Sequence, residues 1–322
     1  MSNIKSILLL LFIFSISACS ANKATIEQDN LANNLSVEHL SLVNHLKTLS
    51  SDQFSGRKIN SKGNKQAQIY IRNSLSNSGV SPFQASYYHP FVKHKSFSQI
   101  KGTNIIGVVK GKKYPDKYIV LSAHFDHLGV KGGVIYNGAD DNASGTAALL
   151  YFAEEIQQQP LSHSVIFLFT DGEESGLYGS KAFIKQQPDL LANISLNINI
   201  DMISGYSRTK TLHYIEKNLL NLLGQKNYQL FKQQNDVKLK TRIGFRQVNQ
   251  GGLFMGHKIN YTKASDQYAF HKANIPFIYY GVGEHPNYHS PNDDFAHANL
   301  AFFMKASDFI LQKILFIDQG VQ

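Results

Sequence analysis

The sequence predicts an α/β protein of three layers (α/β/α), in which helices cover both faces of a mixed sheet with a parallel centre. Segments with helical spacing of apolar residues alternate along the chain with short β-branched runs. Three of these runs, 165–169, 194–200 and 275–280, are almost continuously apolar, which is typical of strands buried on both faces. The 322 residues are 43% hydrophobic and 17% charged, a composition that excludes a disordered or fibrous chain.

Local patterns place the elements in order. Apolar residues at intervals of three and four predict helices over 37–49, 65–75, 146–159 and 301–316. Short runs rich in β-branched residues predict strands over 104–109, 118–123, 165–169, 194–200 and 275–280. The Asn77-Ser78-Gly79 turn ends the second helix, and Pro160 ends the third.

The first residues have the pattern of an export signal. A Lys and no acid precede the apolar run 7–16, which is too short to span a bilayer. The following Ile-Ser-Ala-Cys resembles a bacterial lipobox and ends at Cys19, the only cysteine. We therefore expect a signal peptide over 1–18, lipidation of Cys19, a polar tether over 19–35 and one domain over 36–322. On this hypothesis the protein is exported and anchored to a membrane, and Ser20 favours the outer membrane. The alternative is an ordinary signal peptide with an incidental cysteine.

Positive charge is concentrated in a basic insertion, 204–263. It holds eleven Lys or Arg and two acids, a local net charge of +9 that equals the excess of the whole chain. No nucleic-acid reading motif accompanies it, so nucleic acid is not an expected partner. A solvated face remains open as its role, as does attraction to anionic lipids or acidic substrates.

Side chains that bind metals follow the predicted strands. His124, Asp126 and His127 come directly after strand 118–123, and Asp140-Asp141 precede a helix. Others follow the next three strands, namely Asp171, Glu173, Glu174, Asp201 and His289. Because ligand sites form at the carboxyl ends of strands in α/β sheets, these side chains are expected to converge. Imidazoles and carboxylates without thiolates suit zinc in a hydrolytic site.

Other catalytic classes find little support. The chain has no Gly-x-Ser-x-Gly elbow and no His-Glu-x-x-His zinc helix. Ser55-Gly56-Arg57-Lys58 matches Ser-x-x-Lys, but its Lys-Thr-Gly partner is missing.

The ordered motifs resemble the aminopeptidase Y and glutamate carboxypeptidase family of co-catalytic di-zinc exopeptidases, which also includes glutaminyl cyclases. The resemblance extends from Leu49 to the region of Phe295 and is poorest over 63–99 and the basic insertion. It rests on His124-x-Asp126, Gly138-Ala139-Asp140-Asp141-Asn142-Ala143-Ser144-Gly145, Glu173-Glu174-Ser175-Gly176, Asp201-Met202 and Tyr288-His289-Ser290-Pro291-x-Asp293.

The resemblance implies two zinc ions per chain. His124 and Asp201 would hold one ion, Glu174 and His289 the other, and Asp141 would bridge them. It also implies a cis peptide bond after Asp141.

Three further residues receive catalytic roles from the resemblance. Glu173 would be the general base, and Tyr288 would help to stabilise the oxyanion. Asp126 would accept a hydrogen bond from the second ring nitrogen of His124 and so fix its tautomer.

The implied activity is removal of N-terminal residues from peptides that have a free N-terminus, by a zinc aminopeptidase. A glutaminyl cyclase with one zinc, a carboxypeptidase or dipeptidase, and a binding lipoprotein with a lost site are the alternatives. The oligomeric state and the preferred side chain are left open by the sequence.

Overall fold

The computed structural model describes residues 37–94, 96, 98–234, 239–245 and 259–321. The predicted signal peptide, Cys19 and the tether over 19–35 lie outside the described residues. Within the described ranges, no helix is both long and apolar enough to cross a bilayer.

The strands of the described chain form one large sheet and one small hairpin. In chain order they are β1 (Ser81–Pro82), β2 (Tyr88–His94), β3 (Gln99–Val109), β4 (Tyr114–His124), β5 (Gly129–Lys131), β6 (Val134–Tyr136), β7 (His163–Thr170), β8 (Ile194–Ile200), β9 (Thr211–Lys217), β10 (Lys240–Ile243) and β11 (Phe277–Gly281). The large sheet has nine strands in the order β1-β3-β7-β4-β8-β11-β9-β10, with β2 also paired to β3. Strands β5 and β6 pair with each other.

The centre of the sheet is parallel and most of its outer pairs are antiparallel. Strands β7, β4, β8 and β11 are neighbours and run in one direction. Strand β3 pairs antiparallel with β1, β2 and β7, and β9 pairs antiparallel with β11. Strand β10 is parallel to β9. The mixed, centrally parallel sheet expected from the sequence is confirmed.

Helices cover both faces of this sheet. They are α1 (Val37–Leu49), α2 (Lys62–Asn77), α3 (Gly145–Gln158), α4 (Tyr178–Gln186), α5 (Leu219–Gln233), α6 (Gln267–Lys272) and α7 (Leu300–Gly320). Successive residues of a strand face opposite layers: Leu121 packs in the core with α1, α2, α3 and α7, whereas Val120 packs in the core with α4 and α6. The three-layer fold is therefore confirmed.

All nine elements predicted from the sequence are present; α1 and β8 have the expected bounds, and the ends of the others are shifted. Helix α2 begins at Lys62, three residues before the expected start, because Ser61 caps it by accepting a 3.1 Å hydrogen bond from the Asn64 N–H. Strand β3 extends back to Gln99 because its first half pairs with β2, which was not predicted.

The basic insertion contributes to the main sheet rather than standing apart from it. Its described residues form β9, α5 and β10, and β9 lies between β11 and β10. The apolar side chains of Leu212, Leu219 and Leu223 join the larger core. Five of its basic residues lie on these elements, namely Lys217, Lys226, Lys232, Lys240 and Arg242.

Candidate metal centre

The site lies where four neighbouring parallel strands end. His124 is the last residue of β4, and Asp201 directly follows β8. Glu173 and Glu174 follow β7, and His289 follows β11. Because the carboxyl ends of parallel strands share one edge of a sheet, these residues converge although they are far apart in sequence.

A first cluster contains His124, Asp141 and Asp201. Nε2 of His124 lies 3.4 Å from Oδ1 of Asp141 and 3.3 Å from Oδ1 of Asp201. Burial lowers the pKa of His124, but the surrounding carboxylates, Asp201 foremost, outweigh it and hold that pKa well above its usual value. The cluster thus concentrates negative charge around a buried imidazole, an environment that favours a cation.

A second cluster uses the other oxygen of the same aspartate. Nε2 of His289 lies 3.1 Å from Oδ2 of Asp141 and 3.2 Å from Oε2 of Glu174. His127, which sequence reasoning did not assign as a ligand, places Nδ1 2.9 Å from Oε1 of Glu174. Burial raises the pKa of Glu174, but the two imidazoles outweigh it and hold the pKa below its usual range.

The carboxylate of Asp141 is fixed by its own turn, which precedes α3. Asp293 accepts hydrogen bonds from the backbone N–H groups of Asp140 (2.7 Å) and Asp141 (3.0 Å). Gly138 has φ +56°, and a Cβ there would lie 2.2 Å from the carbonyl oxygen of Asp141, so the turn requires glycine. The peptide between Asp141 and Asn142 is cis, as the resemblance implied.

Arg57 holds the loops beneath the site together. Its fully buried guanidinium donates to the carbonyl oxygens of Phe125 (2.7 Å), Leu49 (2.7 Å), Asn137 (2.6 Å) and Gly138 (2.9 Å). Burial lowers its pKa to about 10, against the opposing effect of the nearby carboxylates. The sequence marked Arg57 only as part of a matching segment, because buried hydrogen bonds to carbonyls leave no pattern in the sequence.

The backbone carbonyl of Asp126, and not its carboxylate as expected, meets the second ring nitrogen of His124. Nδ1 of His124 meets the backbone carbonyl of Asp126 at 3.1 Å, whereas the nearest carboxylate oxygen lies 3.8 Å away. The carboxylate instead accepts a 3.0 Å hydrogen bond from the backbone N–H of Glu173. The carbonyl acceptor still directs Nε2 of His124 toward the first cluster, and the Asp126 carboxylate positions Glu173.

Glu173 lines the same cavity as the metal-type ligands but belongs to neither cluster. Burial raises its pKa well above the usual value; His124 opposes this shift, and Asp201 and Asp266 add to it. A carboxylate with a raised pKa beside a metal centre is suited to accept and return a proton near neutral pH.

Tyr288 stacks on His289. The ring centroids are 3.9 Å apart with an angle of 18° between the planes. Burial, together with Asp141 and other carboxylates, raises the pKa of Tyr288, so its hydroxyl keeps its proton and remains a hydrogen-bond donor.

A cavity of about 70 Å³ opens beside the two clusters. Ile259 and Tyr261 of the basic insertion form part of its wall, together with Met202 and Tyr279. A larger cavity of about 660 Å³ lies near the start of β4, around Tyr118, but none of its lining residues is a histidine. Because histidine and carboxylate side chains line the smaller cavity, we take it as the functional one.

The family model for "Peptidase family M28" matches residues 104–314 of the chain. An aminopeptidase of Bacillus subtilis (strain 168), YwaD, is 28% identical over 228 residues, which are 68% of this chain and 45% of the relative. The chain spans less than half the length of three curated relatives that it matches.

Solved structures share the fold. A zinc aminopeptidase from Bacillus subtilis superposes with a TM-score of 0.65 at 16% identity, over 87% of this chain and 95% of that one. A glutaminyl cyclase of Macrostomum lignano gives a TM-score of 0.65 at 18% identity, over 88% and 92%. At such low identity these likenesses concern the fold alone.

Proposed function

Because the chain belongs to peptidase family M28, we propose that it is a zinc-dependent aminopeptidase with two metal ions per chain. The observation that carries this proposal is the position of Asp141. Its two carboxylate oxygens face two different histidine-containing clusters, with Nε2 of His124 3.4 Å from Oδ1 and Nε2 of His289 3.1 Å from Oδ2. A carboxylate placed in this way suits a bridge between two cations.

The residues present fit zinc. Imidazole nitrogens and carboxylate oxygens are its usual ligands, and thiolates are not required. Oε1 of Glu174 is buried and has no hydrogen-bond partner among the described residues, as expected of an atom that serves a cation. When bound, zinc polarises the scissile carbonyl and makes water a competent nucleophile near neutral pH.

Glu173 is the proposed general base. The backbone N–H of Glu173 is fixed by Asp126, and its raised pKa lets the carboxylate hold the proton taken from the attacking water. The same carboxyl group then returns the proton to the leaving amine. Tyr288 donates a hydrogen bond to the oxygen that becomes negatively charged.

The names of similar proteins favour an aminopeptidase, since one curated relative and several structural neighbours carry that name. The fold does not separate this activity from glutaminyl cyclisation, because both kinds of neighbour give the same TM-score. Two complete clusters that share Asp141 support the two-metal hydrolase over a one-zinc cyclase. The products formed from defined peptides distinguish hydrolysis from cyclisation.

The experiment uses matched peptides with a free or acetylated N-terminus, together with a peptide that begins with Gln. We expect release of the N-terminal residue from free-amine peptides alone, inhibited by a chelator and restored by zinc. Equal cleavage of acetylated peptides, or trimming from the C-terminus, would overturn the aminopeptidase proposal. Loss of ammonia from the Gln peptide without hydrolysis would move the assignment to a cyclase.

The same proposal includes export and lipid anchoring through Cys19. It is supported by the lipobox-like Ile-Ser-Ala-Cys after an apolar run that is too short to span a bilayer. Cells grown with a clickable fatty acid should label the protein in the membrane fraction, and Cys19→Ser should abolish the label. An unlabelled wild-type protein would overturn the anchor and leave the enzyme proposal intact.

A further inference from the structure

His127 stands in the metal centre without the partners that a buried histidine needs. The residue is 1% exposed, and neither ring nitrogen has a hydrogen-bond partner among the described residues. A buried polar group left unpaired costs about 1–3 kcal/mol, so an unpartnered imidazole beside carboxylates points to a missing cation.

The orientation of the ring is poorly suited to a hydrogen bond with Glu174. Nδ1 of His127 and Oε1 of Glu174 lie 2.9 Å apart, yet both atoms are unpartnered by hydrogen-bond geometry. Two atoms this close that do not face each other as donor and acceptor can both be satisfied by one ion between them.

We propose that His127 is a fourth protein ligand of the second metal ion, together with Asp141, Glu174 and His289. This inference rests on the proposed two-metal function and adds to it a ligand that the resemblance did not assign.

The spacing of the ligand atoms supports tetrahedral coordination. Zinc bonds of about 2.0–2.1 Å set tetrahedral ligand atoms about 3.3 Å apart. Nδ1 of His127 is 3.6 Å from Oδ2 of Asp141, and Nε2 of His289 is 3.1 Å from the same oxygen. Glu174 offers each histidine a different oxygen, Oε1 to His127 at 2.9 Å and Oε2 to His289 at 3.2 Å. The four distances scatter around the tetrahedral value.

The backbone is shaped to admit this ring. A Cβ on Gly138 would lie 2.5 Å from Cγ and Cδ2 of His127, so only glycine leaves room for the imidazole in its present position. The same glycine is needed for the turn that carries Asp141. One backbone position therefore serves both the bridging carboxylate and the additional histidine.

The two ions would then differ in their protein ligands. The first cluster offers three, His124, Asp141 and Asp201, whereas the second offers four. Three protein ligands leave a position open for chemistry, and four close a zinc site. The first site would therefore keep a position open for water or substrate, whereas the protein alone would fill the second.

The test is a competition titration of metal-free protein with zinc against a chromogenic chelator. The variant is His127→Gln, and the control is His163→Gln, a buried histidine remote from the site whose Nδ1 lies 2.8 Å from Asp318. Groups that only orient a metal ligand change affinity by about 10–100-fold. We expect His127→Gln to weaken binding of the second zinc by more than about 100-fold. The affinity for the first zinc, and both affinities of the control variant, should remain as in wild type.

A loss of 100-fold or less would overturn the inference, because an orienting contact explains it. A wild-type protein that binds only one zinc would instead overturn the two-metal function and, with it, this inference. If His127→Gln does not fold, a crystal structure of the zinc-loaded wild type decides. Nδ1 of His127 should lie about 2.0–2.1 Å from the second ion; a distance at which His127 is not a ligand would overturn the proposal.

Discussion

The carboxylate of Asp293 accepts the backbone N–H of Asp141 at 3.0 Å, and its second oxygen accepts the preceding N–H of Asp140 at 2.7 Å. The segment that carries His289 is thereby tied to the turn that carries the shared carboxylate. Asp141 and His289, two of the proposed ligands of the second ion, are thus held in register by one buried acid.

Asp293→Asn should weaken zinc binding without removing a ligand. The amide nitrogen of Asn would face one of two backbone donors, so one hydrogen bond is lost and two donors oppose each other. We expect an affinity loss of about 10–100-fold, measured by competition titration. The matched control is Asp318→Asn, whose carboxylate likewise accepts two consecutive N–H groups, from Ser162 and His163, away from the site. Equal zinc affinities in the two variants would contradict this role.

Glu173→Gln should keep both zinc ions and lose turnover. The substitution preserves shape but removes the proton acceptor, and general-base catalysis contributes about 10²–10⁴-fold. Elemental analysis together with kcat measures both effects. Glu174→Gln, one residue along the chain, should instead lose metal. A Glu173→Gln protein with wild-type kcat would remove the assigned base.

Tyr288→Phe should lower kcat by about 10²-fold with little change in KM, because loss of one oxyanion donor has an effect of about this size. Phe retains the ring that stacks on His289. The control is Tyr206→Phe, which also stacks on a histidine, His285, outside the cavity. An unchanged kcat would show that Tyr288 only packs against His289 and does not stabilise the oxyanion.

Sequence reasoning succeeded where burial leaves a strong pattern. Strand β7 is buried along its whole length and β8 along nearly all of it, and both carry apolar residues in their buried centres; α1 has regular apolar spacing. Strand β2 was missed because most of its residues are exposed or half-buried. Helix α5 was missed because it contains Gly224 with φ +71° inside its span.

Within the site, too, the sequence predicts only those residues that lie in recognisable motifs. The five implied ligands lie in ordered motifs, and the structure places all of them at two adjoining clusters, although their binding of metal stays a prediction. His127 follows Asp126 with no spacing that marks it as a ligand, and only its burial and distances single it out. Asp293 and Arg57 act through backbone atoms of distant segments, contacts that no local pattern encodes.

Lys313 should make stability depend on pH above 8. Its buried ammonium donates to the carbonyls of Phe231 and Gln234 (2.8 Å), and burial lowers its pKa from 10.5 to about 8. Below pH 8, Lys313 is protonated in both the folded and the unfolded protein, and the free-energy cost of burying its charge is fully present. Between 8 and 10.5 the unfolded state binds the additional proton, so the free energy of unfolding rises with pH.

Lys313→Met isolates this effect because it lacks the titrating group. Relative to the variant, wild type should gain about 3 kcal/mol between pH 7 and the region above the unfolded pKa, measured by urea unfolding. Parallel stability curves for the two proteins would show that Lys313 is not buried as a charge.

The central claim, a pair of metal ions bridged by Asp141, is tested most directly by counting zinc in the purified protein by elemental analysis. The structure predicts two zinc ions per chain in wild type, and loss of metal in Asp141→Ala. One zinc per chain, or none, in a folded wild-type protein supplied with excess zinc would contradict it.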